Sequence, residues 1–337
     1  MPPSLTANMQ QASITPRQTM QGHTDWVTGI AHLPDGRRII TSSFGGSLRL
    51  WNIESGVQIG NDWHDDENHK GRGEQRGNEA VVWSIVLSPN GKTVASGSDD
   101  GKVRLWDVET KKVVAKWTEH TAYVMSLCWS VEGEQVVSGS GDGMIIVWDV
   151  ESGGTVLGPI KTGHDCVEAV IYSPDTTKIA TAGNISVKIW VAETGNLLST
   201  IKCYYSVHSL AWTSDEKKLI SASGFAIWIF DTATWQNIGI LEGHTSIVNT
   251  LSLFQNDRLL ASGSFDKTAR LWNLDTNLPV GSPLQHQAGI GRVAISADGK
   301  LLVTGCYDGN AYVWDIHTTL KDAGLKDLLS IPDVSVY

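Results

Sequence analysis

One short pattern recurs along this chain. Leu50-Trp51-Asn52, Leu105-Trp106-Asp107, Val147-Trp148-Asp149, Ile189-Trp190-Val191, Ile229-Phe230-Asp231, Leu271-Trp272-Asn273 and Val313-Trp314-Asp315 follow one another at steps of 55, 42, 42, 40, 42 and 42 residues. Upstream of each stands a Gly-His-like pair: Gly22-His23, Gly77-Asn78, Glu119-His120, Gly163-His164, the position of Cys203, Gly243-His244 and Gln285-His286. A fixed period of this size marks an array of like units that must pack on one another to bury their apolar faces. Seven copies are present, and the longest step is an ordinary one plus 13 residues, placed in an insertion at residues 61–76.

Within each copy the apolar pattern has period two. Copy 2 reads Val82-Trp83-Ser84-Ile85-Val86-Leu87, a turn at Ser88-Pro89-Asn90-Gly91, Thr93-Val94-Ala95-Ser96-Gly97-Ser98, a turn at Asp99-Asp100-Gly101, and Val103-Arg104-Leu105-Trp106. A fourth run, Lys112 to Trp117, precedes the next Glu-His pair. Short β-branched runs separated by Asn/Asp-Gly turns are antiparallel hairpins. Seven four-stranded sheets that each need cover on both faces are accommodated by radial packing, which leaves only short edges.

The Gly-His to Trp-Asp spacing, the Ser-Pro-Asn-Gly type of turn and the Ser-Gly-Ser-x-Asp stretch resemble the WD40 repeat family, over residues 14–316. A narrower likeness is to fungal WD40 arrays of the kind also fused to NACHT-type domains. The resemblance implies an all-β, seven-bladed propeller with four antiparallel strands per blade, used as a non-catalytic platform for protein partners. The last copy ends at Trp314-Asp315 without an outer strand, and Ser13 to Met20 lies where other copies carry theirs. That N-terminal run is therefore expected to pair with strand 311–315 and close the ring. The expected division is a flexible tail at 1–12, a propeller at 13–316, and a C-terminal tail at 317–337 whose Leu320–Leu329 stretch forms a short docked helix.

Composition narrows the functional classes. With 36 acidic and 26 basic residues the formal charge is −10, which lacks the footprint of a nucleic-acid binder. No apolar run suits a membrane span, no secretory signal is evident, and the four scattered cysteines fit free thiols, so a cytoplasmic monomer with no membrane partner is expected. A Gly-Lys-Thr at residues 91–93 lacks the upstream glycine of a P-loop and belongs to a hairpin turn. No cofactor and no metal site are expected; His64, His69 and the acids around them fit a solvated loop better than a ligand set.

The resemblance also implies that His, a strand Ser/Thr, a turn Asp and the Trp of one repeat form a buried hydrogen-bond chain. Complete sets are expected at His120/Ser138/Asp142/Trp148, His244/Ser262/Asp266/Trp272 and His286/Thr304/Asp308/Trp314. Copy 1 has Gly45 for Asp, copy 2 Asn78 for His, copy 4 Asn184 for Asp, and copy 5 has Cys203, Gly224 and Phe230. A hydrolytic reading of these His, Ser and Asp residues fails because the set recurs and ends on a Trp donor.

By the same resemblance the partner-binding top face takes the residues three and five beyond each His position and the one before the turn Asp. These include Trp26, Phe44, Trp83, Asp99, Tyr123, Met125, Glu168, His208, Phe265 and Tyr307. Aromatics with polar neighbours are the usual anchors of a protein interface, and Asp99 and Glu168 would suit a basic peptide. A propeller enzyme or a carbohydrate-binding propeller is the alternative; the first needs a convergent polar channel and the second repeated aromatic pockets. Of 14 tryptophans, six are the repeat's own, five (Trp117, Trp129, Trp212, Trp228, Trp235) fall on expected strands, and Trp26, Trp63 and Trp83 are surplus to the scaffold.

Overall fold

The second strand of each repeat is the most buried element, and its residues explain why. Thr93–Ser98, Gln135–Ser140 and Leu259–Ser264 run through small and β-branched side chains that are buried on both faces. Such strands lie between two neighbouring sheets rather than between a sheet and water. The glycine inside four of them sets the spacing. A Cβ at Gly97, Gly139, Gly263 or Gly305 would sit 2.5 to 2.7 Å from a side chain of Val124, Val167, Ile290 or Val27, each on the flank of the next sheet. Glycine here admits the neighbouring blade.

The computed structural model describes residues 14–65 and 80–330. They form seven antiparallel sheets, numbered as blades in chain order, with strands a to d running outward from the channel. Strands a are Val27–His32, Val82–Leu87, Val124–Trp129, Ala169–Tyr172, Val207–Trp212, Val248–Leu253 and Ile290–Ile295. Each lies against the next, and the last against the first, so the ring is closed. Turns between a and b use a left-handed residue, Gly91 at φ 71° for example, with Asn90 Oδ1 accepting the Lys92 N–H at 2.9 Å.

Closure is completed by Gln18–Met20, which pairs with Ala311–Val313 as strand d of blade 7. Met20 is 1% exposed and packs with Ile39, Trp51, Val303 and Val313, which ties blade 7 to blade 1. The tail at 1–12 lies outside the described residues.

Blade 1 departs from the expected four strands. Among the described residues its sheet holds three, Val27–His32, Arg38–Ser43 and Leu48–Asn52, and the outer position is reduced to two bridges, Trp51 to Gln58 and Leu48 to Trp63. Trp63 is consequently not surplus: it is 1% exposed, packs between Leu48 and Trp106, and anchors the start of the insertion. Residues 66–76 of that insertion, with the candidate ligand His69, lie outside the described residues. Trp235 is not on a strand either, but in the c–d turn of blade 5 at φ 57°.

The C-terminal helix begins earlier and is shorter than the pattern implies. Asp315 caps Ile316–Asp322 by accepting the Thr318 N–H, Gly324 breaks the run at φ 71°, and a single 3-10 turn, Lys326–Leu329, follows. Ile316, Leu320 and Leu328 are buried against blades 6 and 7, among Phe254, Leu284 and Leu302.

Candidate functional site

Two of the three complete sets form full hydrogen-bond chains. In blade 3 the Trp148 indole donates to Ser138 Oγ at 2.8 Å, His120 Nε2 meets that oxygen at 2.7 Å, and His120 Nδ1 reaches Asp142 at 3.0 Å. Blade 6 repeats this at 2.8 Å in all three contacts, through Trp272, Ser262, His244 and Asp266. One arrangement of protons satisfies every member, which is the condition for a buried polar network to stabilise. Ser138 and Ser262 are 0% exposed, so neither hydroxyl can meet a substrate as a nucleophile.

Blade 7 corrects the expectation. Trp314 and His286 reach Thr304 at 3.0 and 2.7 Å, but His286 Nδ1 turns to the Leu284 carbonyl at 3.0 Å and Asp308 accepts from the Tyr312 hydroxyl at 2.7 Å. Tyr312 stands opposite Thr304 in register and its ring packs edge-on to His286 at 5.3 Å, so the phenol takes the carboxylate.

Incomplete blades recruit substitutes. In blade 1, where Gly45 offers no carboxylate, His23 Nδ1 meets Ser47 Oγ at 3.2 Å while Nε2 keeps Thr41 at 2.6 Å. Blade 2 keeps Trp106 on Ser96 at 2.8 Å, and Arg104, 3% exposed, donates to Asp100 at 2.6 Å and to Asp65 of the insertion at 2.9 Å. Burial alone would raise the Asp65 carboxyl, but hydrogen bonds from Lys116 and Arg104 hold it below the usual carboxylate range. Asn78 lies outside the described residues. Blade 4 joins Trp190 and His164 at Thr181, and Asn184 bonds Asp165.

The rim aromatics come from different blades and meet as one belt. Phe265 stacks on Tyr307 at 5.1 Å, Tyr307 meets Trp26 edge-on at 4.7 Å, and Trp26 meets Phe44 at 5.1 Å. Phe44 then meets Trp83 at 5.2 Å and Trp83 meets Tyr123 at 5.7 Å, so the belt spans blades 6, 7, 1, 2 and 3. Trp26, Phe265 and Tyr123 are about two-fifths exposed, and Met125, half-buried, follows Val124 on strand a of blade 3. The Trp83 indole N–H is buried without an acceptor among the described residues. An unpaired donor inside a half-exposed aromatic surface is costly unless a ligand supplies the acceptor.

The remaining sector is polar. Glu168 of blade 4 pairs with His208 of blade 5 at 3.4 Å, and Asn249 of blade 6 donates to the Tyr307 hydroxyl and to the Gly291 carbonyl, each at 3.2 Å. Arg292 on strand a of blade 7 donates to Gly291 O at 3.3 Å, and burial lowers its pKa. Asp99, in the b–c turn of blade 2, is exposed; partial burial and its neighbour Asp100 raise its pKa. Sequence reasoning missed Arg292, although a charged residue inside a strand of period-two apolar pattern was the signal for it.

With this geometry in place, comparison with known proteins gives consistent findings. The family described as WD domain, G-beta repeat matches residues 14–52, 72–107, 111–149, 157–191, 235–273 and 278–315. Those segments pass over residues 192–234, which hold most of blade 5. The chain is 25% identical over 228 residues to Protein FIZZY-RELATED 3 of Arabidopsis thaliana, covering 65% of this chain and 38% of that protein. It is 27% identical to Cell division cycle 20.5, cofactor of APC complex, of the same plant, covering 59% and 38%. A third relative, WD repeat-containing protein srw1 of Schizosaccharomyces pombe, is 29% identical over 117 residues, 32% of this chain and 21% of that one. The chain thus spans less than two-fifths of the length of these relatives. The narrower likeness to NACHT-fused fungal arrays has no counterpart among the three.

Proposed function

Because this chain belongs to the WD-repeat family, we propose that it is a non-catalytic adaptor that binds a peptide segment of a protein partner across the top face of its propeller. The single observation that carries the reading is the continuous belt from Phe265 through Tyr307, Trp26, Phe44 and Trp83 to Tyr123. Trp26 and Trp83 stand outside the tryptophan positions that the repeat itself uses, and part-exposed aromatics side by side are what interface hot spots are made of. The relative described as a cofactor of APC complex supports an adaptor role for this chain. The partner segment is basic: the chain carries −10, and Asp99 of blade 2 and Glu168 of blade 4 both stand toward the Trp83–Tyr123 end of the belt.

The test is selection from a displayed random peptide library by the full chain. Sequences rich in Lys or Arg beside an apolar residue should be enriched, and their binding should weaken as salt is raised. Trp26→Ala/Trp83→Ala/Tyr307→Ala should weaken the best peptide by about a hundredfold or more, at roughly 2 kcal/mol per anchor residue with incomplete additivity. Equal affinity for both proteins, with circular dichroism showing both folded, would reject the top-face assignment.

A further inference from the structure

Blade 5 departs furthest from the repeat, and the departure leaves a space. Its sheet has all four strands, Val207–Trp212, Lys218–Ser223, Ala226–Asp231 and Asn237–Leu241, yet Cys203, Gly224 and Phe230 replace the imidazole, carboxylate and indole found elsewhere. The backbone is unchanged: the Cys203 N–H bonds Ile185 O at 2.8 Å as the His286 N–H bonds Lys267 O at 2.9 Å. A thiol and a phenyl ring are smaller than an imidazole and an indole, and Phe230 has no N–H to give. Ser221 Oγ is left buried with no partner among the described residues, whereas Ser138 and Ser262 are each met by a Trp and a His.

Cys203 and Phe230 line a cleft of about 370 Å³ between strand d of blade 4, Leu197–Lys202, and blade 5. Trp228, cross-strand from Ser221, and Trp235 form its walls, and Tyr204, 85% exposed, stands at its edge. Trp235 occupies a left-handed turn position that blades 1, 3 and 4 give to Gly56, Gly153 and Gly195. The cleft is near the lower end of ligand-site volumes, roughly 300–1,000 Å³, so it admits one large side chain and not a helix. Lys202 is the one charged residue on its wall and forms no ion pair among the described residues. The wall also includes an edge strand, since Leu197–Lys202 is outermost in its sheet and its free side is open to pair with another backbone.

We propose that the cleft between blades 4 and 5 is a second docking site, for a peptide that inserts an aromatic side chain between Trp228 and Trp235 while acidic neighbours face Lys202. Its ligand is opposite in charge to that of the top face, so the two sites sort different segments. Aromatic walls favour an aromatic ring over an aliphatic chain, and a lone ammonium favours carboxylates beside it.

The probe is the capped tripeptide Asp-Phe-Asp, followed on the full chain by ligand-observed saturation-transfer NMR, with Asp-Ala-Asp and Lys-Phe-Lys as controls. Saturable binding of Asp-Phe-Asp alone is expected. Lys202→Glu, a change at an exposed side chain, should weaken it about tenfold and shift preference toward Lys-Phe-Lys. Cys203→His/Phe230→Trp should fill the cleft and abolish binding, while the top-face triple variant should bind as the wild type does. No saturable binding by the wild type, unchanged binding by Lys202→Glu, or loss of binding in the top-face variant would overturn the proposal.

Discussion

A chain lacking residues 1–20 should unfold roughly 10 °C or more below the intact protein. The reason lies in what three residues hold. Among the described residues Gln18–Met20 is the only outer strand blade 7 has, and Arg17 adds a backbone bond to Val313 O at 2.7 Å. Removing it turns Ala311–Asp315 into an open edge and uncovers the cluster of Ile39, Trp51, Val303 and Val313 where the first and last blades meet. Met20→Ala alone should cost about 2–5 kcal/mol, as truncation of a fully buried side chain does. A closed ring spreads that loss, because every blade is held on both sides and the seam is the one place where chain connectivity does not help. Differential scanning calorimetry of the two proteins measures the effect. An unchanged midpoint would show that the ring closes without the N-terminal strand.

Acid should destabilise the protein well before its carboxylates titrate. Burial lowers His23 to about 3, with Arg49 adding to the effect, and lowers His164 to about 4, with Lys188 adding. Burial likewise lowers His286 to about 4, and it lowers His32 and His120 as well. In the unfolded chain each imidazole takes a proton near pH 6.5, whereas in the folded protein these three refuse it until pH 3–4. The unfolded state therefore binds more protons across that window, so stability rises with pH there and falls on acidification. The loss is nil above about pH 6.5 and grows to on the order of 3 kcal/mol for each of these histidines by the time pH reaches about 4. Urea midpoints should fall steeply between about pH 6.5 and 4.5. A flat midpoint over that range would mean that the imidazoles are charged in the folded state.

The blades could be read from the sequence because period and spacing are collective: seven copies constrain one another, so Cys203, Gly224 and Phe230 did not hide blade 5. The rim aromatics were legible for the same reason, since each is placed by an offset from a repeated residue. What escaped depends on single partners across the fold. Tyr312 takes Asp308 from His286 because the residue stands opposite Thr304 in register and its hydroxyl reaches the carboxylate. Trp63 looked expendable because it lies in an insertion, yet blade 1 has no full outer strand among the described residues and uses it as cover. Trp235 read as a strand residue because nothing in a hydrophobic pattern marks a left-handed turn when the residue is not glycine. Arg104 and Ser47 filled gaps that sequence could register only as missing His or Asp.

The central claim is that a partner peptide lies on the belt. It is tested most directly by labelling the indole nitrogens of all 14 tryptophans with ¹⁵N and titrating the selected basic peptide. The signals of Trp26 and Trp83 should move together and saturate, and the Trp83 N–H should shift furthest downfield as it gains an acceptor. Trp228 and Trp235, across the ring, should stay in place. Movement at Trp228 and Trp235 with Trp26 and Trp83 unperturbed would contradict the account.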